Sequence, residues 1–107
     1  MQIKFKIEEI MIMDALVGDA AQAAKPHDKL VYNKGKRICQ KLAINAPVIN
    51  LKRSELIIIG DIVEHTINMG LSQDTKEYTE DELENREENL NHMRSALDTI
   101  VDKLNEV

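Results

Sequence analysis

Residues 3–17 read IKFKIEEIMIMDALV, and about 46 residues later residues 48–63 read VINLKRSELIIIGDIV. Each stretch begins with alternating apolar and polar side chains, a pattern typical of a short β-strand. Each then continues into an apolar run with an acidic residue near its start. Negative charge at that position favours the first turn of an α-helix, because the helix dipole stabilises it there. The two stretches therefore predict the same local structure twice.

The repeated pattern has two interpretations. In one, the chain is a degenerate duplication of a β-α-α unit, with short strands at about residues 2–7 and 48–52. In the other, two amphipathic segments resemble each other by chance, since only their apolar pattern matches well. Under both interpretations aromatic residues are nearly absent, so aliphatic side chains and methionine must fill the core, which is typical of helical bundles.

Helix-breaking and capping residues predict four helices. Lys25-Pro26 ends the first helix, because proline disfavours the helical conformation of the residue before it. The second helix is expected from about Asp28 to Ala43, and the third from about Ser54 to Gly70, a residue suited to a left-handed cap. The capping box Thr79-Glu80-Asp81-Glu82 predicts a fourth helix that runs nearly to the C-terminus.

We therefore expect residues 1–107 to form a single, mainly α-helical domain, a four-helix, bundle-like fold. The fourth helix has an apolar seam at three- and four-residue spacing, formed by Leu83, Leu90, Met93, Leu97, Ile100, Leu104 and Val107. This seam is too short to favour a coiled coil over ordinary bundle packing. Two apolar runs, Ile10–Met13 and Leu56–Ile59, have no polar face. A chain this short has few elements to cover them, so we expect a second copy to do so in a homo-oligomer.

Opposite charges are separated along the chain. Residues 25–53 contain eight Lys or Arg and one acidic residue, whereas residues 74–107 contain eleven Asp or Glu and four Lys or Arg. In one interpretation, the basic second helix and the acidic fourth helix neutralise each other, within or between copies. In a second, the basic stretch binds an anion such as a nucleotide or nucleic acid. In a third, the acidic stretch from Asp74 to Glu88 binds a basic partner protein.

The local sequence that best fits anion binding is segment 32–37, where a phenol and three cations surround a glycine that lets a ligand approach the backbone. The segment is not a P-loop, because the required Gly and Lys-Ser/Thr spacing is missing. The candidate residues for binding an anion or a nucleotide are Tyr32, Lys34, Lys36, Arg37 and Lys41.

No catalytic residue, metal ligand or cofactor is predicted. Two carboxylate–histidine pairs, Asp61 with His65 and Glu88 with His92, have helical i, i+4 spacing, and we interpret both as surface ion pairs. Cys39 lies among apolar residues and is interpreted as a packed, unreactive side chain. Phosphate-loop, nucleophile-elbow, zinc and dinucleotide sequence patterns are missing. We expect a protein that is not an enzyme.

The N-terminus lacks the pattern of a secretory signal and no apolar run is long enough to cross a membrane, so we expect a cytoplasmic protein. The leading hypothesis is a small, oligomeric, non-enzymatic binding protein that sequesters or occludes a partner protein. Its composition is common among phage accessory proteins and inhibitors of host defence. The alternative hypothesis is a nucleotide or nucleic-acid binder that uses residues 25–53.

Overall fold

A computed structural model describes residues 1–44 and 48–106, and this part of the chain forms four helices and a two-stranded sheet. In chain order the elements are β1 (Gln2–Lys4), α1 (Ile7–Ala24), α2 (Lys29–Ala43), β2 (Val48–Asn50), α3 (Arg53–Ser72) and α4 (Glu80–Leu104). The mainly helical, bundle-like fold is confirmed, and the β-α-α order of elements occurs twice.

The two strands hold the halves of the chain together. They pair antiparallel, with Ile3 opposite Ile49, and both of these side chains are buried while their neighbours are exposed. Each strand is shorter at its C-terminal end than predicted. The reason is that Lys6 and Lys52, which have extended backbones, serve as the N-caps of α1 and α3 rather than as strand residues.

Both strand-to-helix junctions contain the same hydrogen bond. The backbone amides of Lys6 and Lys52 donate to Oε1 of Glu9 and of Glu55 respectively, each at 2.8 Å. These are acidic residues that the sequence places in the first helical turn, and both are buried. Each carboxylate accepts from an amide that would otherwise lack an acceptor at the start of its helix.

The helices pack as two hairpins. α1 packs mainly on α2, and α3 mainly on α4, while α1 also contacts α3 and α4. The core is aliphatic and methionine-rich, as its composition predicts. Its largest fully buried side chains are Met13, Val17, Ile38, Leu42, Leu51, Leu56, Ile59, Val63 and Ile100. Among the described helices, none combines the length and the apolar character needed to span a membrane.

The basic helix α2 and the acidic helix α4 do not neutralise each other within one chain. α2 packs mainly on α1 and α4 mainly on α3, so the two charged helices share no substantial interface. In residues 1–44 and 48–106, no ion pair joins α2 to α4. The interpretation that places them side by side is therefore wrong for a single copy, and it stays a prediction between copies.

The apolar runs of α1 and α3 are only partly covered by the rest of the chain. In Ile10–Met13 the first and last residues are buried, but Met11 is 66% exposed. In Leu56–Ile59 the same pattern holds, with Ile57 43% exposed. Each helix therefore buries one apolar stripe and leaves one large apolar side chain of its run, Met11 or Ile57, at the surface.

The two ends of the α3–α4 connection differ in how well they were predicted. Thr79 starts α4 as expected, with its Oγ1 accepting a hydrogen bond from the Glu82 amide at 3.2 Å. Gly70, in contrast, is not a left-handed cap, because α3 continues to Ser72. A Cβ placed on Gly70 would lie 3.1 Å from Leu90 Cδ2, so this glycine instead lets a leucine of α4 approach α3 closely.

Candidate functional site

The five predicted anion-binding residues lie on two flanks of α2 rather than in one site. The segment is regular helix, so successive residues are rotated by about 100°. Lys34, Arg37 and Lys41 follow one flank, and Tyr32 and Lys36 follow the other. The buried stripe that faces α1 runs between the two flanks and consists of Gly35, Ile38 and Leu42.

Tyr32 contacts cations of its own chain. The Nζ atoms of Lys25 and Lys36 each lie 5.5 Å from the centre of the Tyr32 ring, a distance at which the ring attracts a cation. The phenol and Lys36 therefore form a local cluster at the start of α2, separate from Lys34 and Arg37.

Lys41 forms an ion pair with a residue at the start of α3. Its Nζ lies 2.6 Å from Glu55 Oε1, the oxygen that also accepts the hydrogen bond from the Lys52 amide. Burial acts to raise the pKa of Glu55, but the hydrogen bonds from Lys41 and Lys52 outweigh it and hold that pKa below its usual value. Lys41 thus stabilises a helix start and is not one of the free cations of the surface.

We predict that Lys41→Met lowers the free energy of unfolding by about 1–2 kcal/mol at neutral pH, because it removes a charged hydrogen bond from Glu55. The folded-state pKa of Glu55 lies below the usual value of 4.5, so the stabilisation is fully present above pH 4.5 and is lost as the pH falls through the folded-state pKa. Urea unfolding at neutral and acidic pH measures this difference.

Lys36→Met is the matched control for that prediction, since Lys36 lies on the same helix and pairs with no carboxylate in the described residues. It should change stability little and equally at both pH values. A loss of stability for Lys41→Met that does not shrink at acidic pH would contradict the role of the ion pair.

Lys34 and Arg37 face a small cavity at the start of α3, which we call the basic cleft. Its volume is about 150 Å³, and its lining residues are Lys34, Arg37, Lys52, Ser54, Glu55 and Ile58. Lys52 and Ser54 were not among the predicted site residues. In the sequence, Lys52 lies at the end of the basic stretch 25–53 and Ser54 directly follows that stretch. No helical spacing relates either residue to α2, so the sequence does not place them in the same site as Lys34 and Arg37.

A second, larger depression lies between the C-terminal half of α3 and the N-terminal half of α4, and we call it the α3–α4 groove. Its volume is about 700 Å³. Its lining residues are Thr66, Met69, Gly70, Gln73, Tyr78, Glu82, Asn85, Arg86, Asn89, Leu90 and Met93. The acidic character of this region is evident from the sequence, but the groove is not.

The α3–α4 groove has an apolar floor and one cation. Leu90 is buried beneath it, while Met69 is 61% exposed. Arg86 donates a hydrogen bond to the carbonyl oxygen of Gly70, and its Nε–H is buried with no acceptor in the described part of the chain. The groove therefore offers apolar contact beside a guanidinium that is held against the end of α3.

Glycine allows a close contact in each of the two helical hairpins. In the first hairpin, a Cβ placed on Gly35 would lie only 2.7 Å from the Cβ of Ala21, so the backbones of α1 and α2 approach closely. In the second hairpin, Gly70 of α3 faces the side chain of Leu90 of α4, and both residues line the groove.

The other reactive side chains do not form a site. Cys39 is partly buried, and burial, with the charge and hydrogen bond of Asp14, raises the pKa of its thiol to about 11, which disfavours the reactive thiolate. His92 Nε2 lies 3.8 Å from Glu88 Oε1 on the surface of α4. In the ranges that the structure describes, no three His, Cys, Asp or Glu residues are grouped to hold a metal ion.

Comparisons of the chain with protein-family models, with curated proteins and with solved structures find no match. The basic cleft and the α3–α4 groove are two surface features of the described part of the chain that suit a ligand or a partner.

Proposed function

We propose that this chain is a non-enzymatic binding protein whose α3–α4 groove takes up a basic, amphipathic helix of a partner protein and thereby occludes it. The observation that carries the proposal is an apolar groove beside a densely acidic helix surface. Acting in this way, the chain would be an inhibitor of the kind that its composition leads us to expect.

The size and lining of the α3–α4 groove suit one face of a helix. Its volume of about 700 Å³ lies within the usual range for ligand sites. Methionines such as Met69 and Met93 adapt their shape to different apolar side chains, which is why grooves that accept amphipathic helices often contain them.

The charge around the groove favours a basic occupant. The exposed acidic side chains in the first half of α4 are Glu80, Asp81, Glu82, Glu84, Glu87 and Glu88. A partner helix with leucines on one face and lysines on the other would place its apolar face in the groove and its cations near these carboxylates. Opposite charges of this kind accelerate association and exclude acidic competitors.

The test uses a synthetic peptide with Leu at helical i, i+3, i+4 and i+7 positions and Lys elsewhere, and a matched peptide with Glu in place of Lys. We expect the Lys peptide to bind and the Glu peptide not to bind. Glu82→Lys, at an exposed residue that lines the groove, should weaken binding by roughly tenfold, because it replaces attraction with repulsion. Fluorescence anisotropy at physiological salt measures both effects.

Asp98→Lys is the matched control, since it makes the same charge change at an exposed position of the same helix. The two positions are about 24 Å apart along α4, roughly three times the screening length at physiological salt. Asp98→Lys should therefore leave the affinity within about twofold of the original value. Equal weakening by both variants, or equal binding of both peptides, would show that the groove is not the site.

A second copy of the chain is the other partner that we propose. The observation that favours it is the exposure of Met11 and Ile57, which occupy matching positions in the two β-α-α units. Apolar side chains at these positions gain from being covered by another protomer. Sedimentation over a range of concentrations tests for a dimer or a larger assembly, and a monomer throughout would exclude it.

A further inference from the structure

We infer that the basic cleft between α2 and the start of α3 binds a single phosphate group carried by a small molecule, a phosphomonoester. This site goes beyond the proposed function, because it is built from α2 and the β2–α3 junction and shares no lining residue with the α3–α4 groove.

Three cations converge on the basic cleft from two parts of the fold. Lys34 and Arg37 come from successive turns of α2, and Lys52 comes from the junction before α3. In the described residues, none of these three side chains takes part in an ion pair or donates a side-chain hydrogen bond. An anion in the cleft would give all three a partner at once.

The acidic residue of the cleft is already neutralised. Glu55 Oε1 accepts from Lys41 Nζ at 2.6 Å and from the Lys52 amide at 2.8 Å, so its negative charge is compensated by a fourth cation. With Lys41 included, four cations surround this one carboxylate, and a bound dianion would offset the excess positive charge. The net charge of the cleft therefore selects for an anion despite the carboxylate in its wall.

The dimensions and donors of the cleft indicate a phosphate group rather than a whole ligand. A volume of about 150 Å³ is smaller than the sites that enclose entire ligands, so the rest of the molecule would lie outside. The planar guanidinium of Arg37 can donate two parallel hydrogen bonds to a phosphate, and lysines provide point charges. The exposed hydroxyl of Ser54 adds a neutral donor from the second residue of α3.

The experiment titrates the whole chain with inorganic phosphate and with adenosine monophosphate, using adenosine as the phosphate-free control. Amide chemical shifts report the position of binding. We expect shifts at Arg37, Lys52 and Ser54 with both phosphates and none with adenosine. Arg37→Gln should weaken phosphate binding by roughly tenfold, because a charged, two-point contact is lost.

Lys36→Gln is the matched control, since it removes the same charge one residue away but on the opposite flank of α2. It should change the affinity by less than about twofold if the cleft is a specific site. Equal weakening by Lys36→Gln and Arg37→Gln would overturn the inference, because binding would then reflect only the total charge of α2. The absence of phosphate-dependent shifts at the cleft would overturn it too.

Titration with a short single-stranded oligonucleotide distinguishes a small phosphomonoester from nucleic acid as the source of the phosphate. If a phosphomonoester is the ligand, adenosine monophosphate should bind at least as tightly per phosphate as the oligonucleotide does. Its binding should be weakened by Arg37→Gln and not by Lys36→Gln. Much tighter binding of the oligonucleotide, with equal dependence on Lys36 and Arg37, would contradict the inference in favour of general attraction to nucleic acid. The peptide experiment on the α3–α4 groove is unaffected by either result.

Discussion

Replacing Ile59 with alanine should lower the free energy of unfolding by about 2–5 kcal/mol, because it leaves a cavity in a close-packed core. Ile59 is fully buried on α3, and it belongs to the core cluster to which both helical hairpins contribute. Denaturant unfolding with constant m-values would measure the loss directly.

Ile57→Ala is the matched control, with the same change of side chain two residues away in the same helix. Ile57 is 43% exposed in a single chain, so its replacement should cost less than about 1 kcal/mol in a monomer. If a second copy covers this side chain, the cost should instead rise with protein concentration as the oligomer forms. A loss equal to that of Ile59→Ala in a verified monomer would show that the burial described for α3 is wrong.

Replacing Gly35 with alanine should destabilise the protein by about 1–3 kcal/mol, although alanine is the better helix former. The new Cβ would lie 2.7 Å from the Cβ of Ala21 and 3.5 Å from its Cα, so α1 and α2 must move apart. The same separation would disturb Ile38 and Leu42, which pack on the buried side of α2. Thermal or denaturant unfolding provides the measurement.

Two further variants show whether steric contact is the cause. Gly18→Ala adds the same methyl group to α1, but the nearest atom outside the helix is Cys39 Sγ at 3.9 Å, an ordinary contact. That variant should gain up to about 1 kcal/mol from helix propensity. Ala21→Gly combined with Gly35→Ala removes the clash and should return stability to within about 1 kcal/mol of the original protein. Failure of this rescue would exclude the close α1–α2 contact as the origin of the effect.

Local interactions explain which parts of this fold were predictable from the chain alone. The alternation in residues 3–7, the acidic residues of the first helical turns and the Thr79 cap all involve residues within four positions of each other. Hydrogen bonds and apolar periodicity over such short spans depend little on the rest of the molecule. The mainly helical class, the aliphatic core and the two β-α-α units could therefore be predicted, with errors confined to the ends of elements.

Contacts between residues that are far apart in the sequence determine the features that could not be predicted from the chain alone. The five predicted anion-binding residues look like one cluster along the chain, but helical rotation distributes them over two flanks of α2, and the packing of α2 on α1 buries the stripe between those flanks. Lys52 and Ser54 join the cleft because the start of α3 lies beside α2, where Lys41 Nζ contacts Glu55 Oε1. In the α3–α4 groove Leu90 faces Gly70 of the neighbouring helix, and in the first hairpin Gly35 meets Ala21. Side-chain volumes on facing helices set these distances, and no pattern within a single segment encodes them.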